Sequence, residues 1–176
     1  MLVIVGPSAS GKTQIVQQLI KNYNMEKLVT YTTRPMRVGE VDGKDYHFIN
    51  KEEFLKKLDE GFFIEHVCYN GNYYGTSFSD LSDNKVVILE PTGLKHYITF
   101  ARDLIKIVFL KCSKEVLGIR MKIRGDKEED IRRRLASDGD VFNSEVSKLA
   151  DLVVDTTPSN IYNDTLVIYN FYQNNK

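Results

Sequence analysis

Short runs of consecutive apolar residues recur along the chain and predict strands that are buried on both faces. The runs lie at residues 2–5, 86–89, 104–110 and 152–154, and Lys106 interrupts the third. Nearly continuous apolar runs of this length are typical of the inner strands of parallel sheets. Longer stretches with helical spacing of apolar residues separate them, so the chain alternates strand and helix. This order predicts an α/β fold with a mostly parallel sheet flanked by helices.

Helix periodicity is clearest directly after the first strand, where Ile15, Val16 and Leu19 would share one face of a helix over residues 13–23. Further helices are predicted at residues 94–102 and 114–123, and over residues 127–150 with a break near Gly139. The tail at residues 160–172 fits a final helix. It also fits a strand, because it is rich in Tyr, Val and Ile.

Residues 33–78 have a different pattern, rich in Tyr, Phe, Gly and charge. Short strands are predicted at residues 45–49, 62–68 and 72–75, with a helix at residues 51–60. The Asn70-Gly71 pair is a strong signal for a hairpin turn. We therefore expect a single domain whose core comprises residues 1–32 and 79–176, with a small α+β lobe inserted at about residues 33–78.

The composition is that of an ordinary globular protein of 176 residues, with 24 Lys and Arg against 24 Asp and Glu. A formal net charge of zero argues against a nucleic-acid or membrane-surface partner. No apolar run approaches the length of a membrane span, and the first residues lack the basic region of a signal peptide. We expect a cytoplasmic protein in which Cys68 and Cys112 are buried, unpaired thiols.

The segment between the first strand and the first helix fits the pattern G-x-x-x-x-G-K-[ST] without a mismatch. Glycines let backbone N–H groups turn inward around a polyphosphate, and the helix that follows points its positive end at the same place. Lys12 would contact the β- and γ-phosphates of ATP, and the hydroxyl of Thr13 would bind Mg²⁺. The residues of this expected ATP site are Gly6, Pro7, Ser8, Ala9, Ser10, Gly11, Lys12 and Thr13.

Three further segments resemble the guanylate kinase family closely. They are T-Y-T-T-R-P-M-R-V-G-E-V-D-G-K-D-Y-H-F at residues 30–48, F-I-E at residues 63–65 and G-N-Y-Y-G-T at residues 71–76. The similarity covers residues 3–75 with few gaps and residues 86–155 more loosely. The resemblance implies a P-loop nucleoside monophosphate kinase that transfers the γ-phosphoryl group of ATP to GMP and dGMP with Mg²⁺. It also implies a monophosphate-binding lobe and a helical lid.

The expected site for the GMP phosphate combines cationic and phenolic side chains. Arg34 and Arg37 lie three residues apart in a loop with a proline, so both guanidinium groups can reach one dianion. The family resemblance gives these arginines this role, together with Tyr46 and Tyr74, and it adds Glu40 to the GMP site. Considered one at a time, the arginines would be interpreted as charged surface residues and the tyrosines as residues that pack within a hairpin.

Guanine presents N–H donors at N1 and N2 beside the O6 acceptor, and a carboxylate accepts both donors as a fork. The resemblance gives this role to Glu65 and places the hydroxyls of Thr30 and Thr76 beside it. Glu90 stands where the family has an acidic residue at a strand end. The link from Glu90 to Gly93 is shorter than in the family, and a second acid is missing, which puts one guanine contact in question.

Arginines crowd the segment after the third predicted strand, and Arg120, Arg124 and Arg134 match positions of the family's lid, at about residues 122–140. Mobile arginines over a transferred phosphoryl group stabilise its charge. A solvated, charged helix is the other interpretation. The resemblance adds Arg120 and Arg124 to the expected ATP site. The expected catalytic residues are Lys12, Arg34, Arg124 and Arg134.

Two alternatives to a guanylate kinase stay open from the sequence. One is a related P-loop kinase with another small phosphate acceptor, which the altered segment after Glu90 allows. The other is a non-catalytic guanylate kinase-like interaction module, against which the intact Lys12 argues. The expected partners are ATP and GMP, and the expected assembly is a monomer or a homodimer.

Overall fold

The computed structural model describes residues 1–69, 71–158 and 160–176, with the backbone alone for Tyr69. The strands are β1 (Leu2–Val5), β2 (Glu26–Lys27), β3 (Tyr31–Thr32), β4 (His47–Phe48), β5 (Phe63–Tyr69), β6 (Asn72–Ser77), β7 (Lys85–Ile88), β8 (Lys106–Lys111) and β9 (Leu152–Asp155). The helices are α1 (Lys12–Tyr23), α2 (Lys51–Asp59), α3 (Pro91–Ala101), α4 (Lys114–Arg124), α5 (Glu128–Val141), α6 (Ser144–Lys148) and α7 (Ile161–Asn175).

The main sheet has five parallel strands in the order β2-β7-β1-β8-β9. The middle strand, β1, is fully buried, with Leu2 and Ile4 facing the helices α1 and α7, and Val3 and Val5 facing α3. Burial on both faces explains why these strands appear in the sequence as continuous apolar runs. The predicted fold class, a parallel sheet flanked by helices, is confirmed.

A second sheet has four strands in the order β4-β3-β6-β5, with β6 antiparallel to both of its neighbours. Helix α2 places Phe54 under this sheet, where its ring stacks on Phe63 with centroids 4.4 Å apart. Gly75 is required at this point, because a Cβ atom there would lie 2.9 Å from Phe63 and 3.0 Å from Phe54. The predicted turn includes Asn70, which lies outside the described residues, whereas Gly71 adopts a φ of +77°.

Several element boundaries differ from the sequence prediction. Helix α3 begins at Pro91 rather than at residue 94, since proline is well suited to the first helical position. Gly139 stays inside α5, and the helix ends at Val141 instead, because the side chain of Asn143 accepts hydrogen bonds from Glu145 and Val146 and starts α6. The tail is a helix, α7. The two-residue strands β2 and β3 were not predicted.

Two smaller observations complete the fold. Cys68 is exposed and Cys112 is half-buried, so the expectation of two buried thiols is wrong, although neither forms a disulfide. Within the described ranges, we find no helix with the length and apolar character needed to span a membrane.

Candidate active site

The phosphate loop connects the buried strand β1 to the first turn of α1. Gly6 packs against β8 so closely that a Cβ atom would lie 2.7 Å from the carbonyl oxygen of Leu110. Gly11 caps α1 with a φ of +101°, and Ala9 has a φ of +62°. These backbone conformations turn the loop around the N-terminal end of α1, where the helix dipole and free N–H groups favour an anion.

Lys12 is folded back onto the loop. Its ammonium group donates to the carbonyl oxygens of Gly6, at 2.5 Å, and of Pro7, at 2.8 Å. The ring of Phe142 lies over it, with its centroid 5.6 Å from Nζ. Burial lowers the pKa of Lys12, while the carboxylates of Glu90 and Asp138 act in the opposite direction.

A carboxylate from α5 contacts the same loop. The backbone N–H of Ser8 donates to Oδ2 of Asp138 at 2.6 Å. The sequence prediction did not include Asp138, because nothing in the local pattern indicates a contact between residues that are 130 positions apart. One turn further along, Phe142 covers Lys12, so the C-terminal end of α5 closes over the loop.

Arg120 joins the loop to the carboxyl end of β9. Its guanidinium group donates to the carbonyl oxygens of Thr156, at 2.5 Å, and of Ala9, at 3.3 Å. The buried hydroxyl of Thr156 donates in turn to the carbonyl oxygen of Ser10 at 3.0 Å. Thr156 was also missed by the sequence prediction. Its position after a strand of the parallel sheet is the signal that indicates a site, since ligands bind at that edge.

An open cavity of about 730 Å³ lies above the phosphate loop. Arg124 and Arg134 enter it from α4 and α5, and both are held by Asp126. Arg124 donates to Asp126 through Nε at 2.9 Å and through a second, shorter bond, and Arg134 lies 4.0 Å from the same carboxylate. Three arginines thus converge on one cavity. Its lining residues are Ser8, Ala9, Ser10, Gly11, Lys12, Thr13, Gln14, Arg120, Ile123, Arg124 and Arg134.

A second cluster forms on the four-stranded sheet around Arg34. Its guanidinium group forms an ion pair with Glu40 at 2.6 Å and lies 5.4 Å from the ring centroid of Tyr46. The ring centroids of Tyr46 and Tyr74 are 6.1 Å apart. The hydrogen bond to Glu40 raises the pKa of Arg34, and the phenol of Tyr74 adds to this effect. The hydrogen bond from Arg34 holds the pKa of Glu40 below its usual value.

Arg37 and Glu90 are less enclosed. The backbone N–H of Arg37 donates to Glu40 at 2.7 Å, which fixes the loop, while the side chain of Arg37 is exposed. Glu90 is exposed at the start of α3 and makes no capping hydrogen bond to that helix. Its charge acts on Lys12, so it lies on the side of the phosphate loop.

The polar pair expected to read guanine lies on β5 and β6. Glu65 and Thr76 are directly opposite each other in the antiparallel register, and the Thr76 hydroxyl donates to Oε1 of Glu65 at 2.9 Å. Thr76 is buried and Glu65 is half-buried. Thr30 lies just before β3, where its carbonyl oxygen accepts from the N–H of His47. The predicted residues therefore form two groups, one around the loop and one on the small sheet.

Comparisons with known proteins agree with this arrangement. The family model described as "Guanylate kinase" matches residues 1–160. The guanylate kinase of Nitratidesulfovibrio vulgaris is 38% identical over 145 residues, covering 78% of this chain and 70% of its own. That of Clostridium tetani is 39% identical over 144 residues, covering 78% and 69%.

A solved structure shows the same likeness in three dimensions. The crystal structure of guanylate kinase from Anaplasma phagocytophilum aligns with a TM-score of 0.66 and 25% identity. The alignment covers 99% of this chain and 84% of that one. From the matched family model, these relatives and the site geometry, we conclude that the chain belongs to the guanylate kinase family.

Proposed function

We propose that this chain carries out the reaction of its family, the transfer of the γ-phosphoryl group of ATP to GMP, giving ADP and GDP. The observation that carries the proposal is the cross-strand pair of Glu65 and Thr76 beside the cationic cluster of Arg34. The Glu65 carboxylate can accept two hydrogen bonds from guanine, and the cluster around Arg34 can bind the phosphate at the other end of GMP. The phosphate loop with Lys12 supplies the donor site.

The donor substrate is ATP with Mg²⁺. Loop N–H groups and the α1 dipole hold its phosphates, and Lys12 moves from the loop carbonyls to the β- and γ-phosphates. Thr13 is exposed in the first turn of α1 and lines the cavity, so its hydroxyl is available to the Mg²⁺ that accompanies ATP. When bound, this metal would neutralise part of the charge on the phosphates of ATP.

The acceptor lobe comprises about residues 33–78 together with β3. Arg34, already oriented by Glu40, and Arg37 bind the GMP phosphate with the hydroxyls of Tyr46 and Tyr74. Because Arg34 is held in place before GMP arrives, little side-chain freedom is lost on binding. A phosphate acceptor is already ionised near neutral pH, so transfer needs no general base.

The guanine base lies against β5 and β6. The carboxylate of Glu65 accepts from guanine N1–H and N2–H, and the hydroxyls of Thr76 and Thr30 lie at the O6 side. A base without these donors leaves the half-buried carboxylate with fewer hydrogen-bond partners than guanine supplies, and a site built to bind such donors discriminates strongly against a base that lacks them. Glu90 is the remaining acidic residue that we assign to the GMP site, at its edge nearest Lys12.

The lid, at about residues 122–140, completes the site. Arg124 and Arg134 leave Asp126 and contact the transferred phosphoryl group when lobe and lid close. Closure aligns the acceptor oxygen with the γ-phosphorus and excludes water, which prevents hydrolysis of ATP. Arg120 keeps the loop and the end of β9 in one position during this movement.

The test is a substrate panel. Purified protein is incubated with ATP, Mg²⁺ and each nucleoside monophosphate in turn, and ADP formation is measured. We expect fast turnover with GMP, slower turnover with dGMP and little with AMP, CMP or UMP. Fast turnover with one of the last three and not with GMP would assign a different acceptor.

A further inference from the structure

The hydrogen bond between Ser8 and Asp138 joins the phosphate loop to α5, an element that follows it in the chain by more than a hundred residues. Oδ2 of Asp138 lies 2.6 Å from the backbone nitrogen of Ser8. Backbone N–H groups of this loop are the donors that would bind the phosphates of ATP. A carboxylate oxygen on such a donor stands in for a phosphate oxygen, because both are anionic acceptors.

The cationic partner in the loop is engaged as well. Lys12 donates to the carbonyl oxygens of Gly6 and Pro7, and the Phe142 ring lies over its ammonium group. Asp138 lies in the last turn of α5 and Phe142 is the residue directly after its end, so the C-terminal end of this helix covers the loop with both side chains. Acceptors of the protein itself therefore occupy both the Ser8 N–H group and the Lys12 ammonium group, which are donors that would otherwise bind phosphate.

We propose that Asp138 competes with ATP for the phosphate loop and so sets the affinity of the enzyme for its donor substrate. This proposal rests on the proposed function, since it takes the loop as the ATP site. For ATP to bind, the phosphates must displace the carboxylate from Ser8 and separate it from their own negative charge. The measured affinity is then the affinity of the open loop multiplied by the fraction of molecules in which Asp138 is released.

The position of Asp138 also couples the donor site to the lid. Arg134 precedes Asp138 by one helical turn and lines the same cavity. When Asp138 leaves Ser8, α5 is free to move, and Arg134 moves with it. ATP binding and the release of α5 are therefore coupled. The contact between Asp138 and Ser8 keeps α5 docked on the loop until ATP is present.

The test measures the dissociation constant of ATP with Mg²⁺, without GMP, by isothermal titration calorimetry. Asp138→Ala removes the competing carboxylate, and we expect it to bind ATP about tenfold more tightly than the unaltered protein, as for loss of a charged hydrogen bond. Asp138→Asn keeps an acceptor oxygen but not the charge, and we expect an intermediate constant. The matched control is Asp140→Ala, an exposed carboxylate on another face of α5, which should change the constant less than twofold.

Two results would overturn the inference. The first is an unchanged dissociation constant in both Asp138 variants. The second is weaker binding in them, which would show that Asp138 holds the loop in its binding shape. If the alanine variant does not fold, the asparagine variant decides between these outcomes. Failure of the proposed function looks different, because the unaltered protein would then not bind ATP or would not phosphorylate GMP.

Discussion

The hydroxyl of Thr76 donates a hydrogen bond to Glu65 at 2.9 Å across the antiparallel pair of β5 and β6. The backbone register places the two residues opposite each other, so this polar pair is fixed by the sheet and not by flexible loops. Thr76 retains only 2% of its exposure, so its side chain has little freedom to move away. The proposed guanine site is thus organised before the base binds.

We predict that Glu65→Gln lowers kcat/KM for GMP by at least about 100-fold, because an amide presents one acceptor where a carboxylate presents two and adds a donor that faces guanine N–H groups. The loss should appear with GMP varied at saturating ATP. KM for ATP should stay nearly constant, since Glu65 is on the small sheet. The matched control is Glu60→Gln, an exposed glutamate at the end of α2, which should keep normal kinetics.

Lys12→Ala should abolish transfer, with kcat reduced by at least about 100-fold, because the γ-phosphate loses its mobile positive charge. GMP binding, measured by calorimetry without ATP, should remain close to that of the unaltered protein. Lys21→Ala is the control, since Lys21 is an exposed lysine in the last turn of the same helix. A Lys12→Ala protein with near-normal turnover would show that the loop is not the donor site.

Ala9 adopts a left-handed conformation that side chains disfavour, with a φ of +62°. We predict that Ala9→Gly raises the free energy of unfolding by about 0.5–1 kcal/mol, after the greater freedom of glycine in the unfolded chain is subtracted. Chemical denaturation measures this change. The same substitution at Ala136, exposed within α5, should lower the free energy of unfolding by about 0.5–1 kcal/mol. Equal decreases at both positions would contradict the conformational argument.

The sequence predicted four of the five strands of the main sheet and the loop between β1 and α1, because these elements are encoded in contiguous residues. A continuous apolar run such as Leu2–Val5 indicates a strand that is buried on both faces. The motif at residues 6–13 indicates a phosphate-binding loop through the spacing of its glycines and lysine. Asp138 and Thr156 were missed because their partners, Ser8 and Ser10, lie 130 and 146 positions away. Contacts of this kind depend on how helices and strand ends pack, which local patterns do not encode.

The predicted helix boundaries were wrong because they also depend on side-chain contacts that the local pattern does not show. Gly139 looked like a break in the sequence, since glycine is a poor helix former. In the structure it remains helical, and Asn143 ends the segment by capping the next helix with its side chain. The link after Glu90 is short because α3 begins directly at Pro91, and Gly93 is part of this helix.

The central claim is that this chain phosphorylates GMP and recognises it by its guanine. The most direct test is the ratio of kcat/KM for GMP to that for AMP, measured on one preparation of the unaltered protein at saturating ATP and Mg²⁺. Because AMP lacks the donors that Glu65 accepts, we predict a ratio of at least about 1,000. A ratio near one would contradict the guanine assignment.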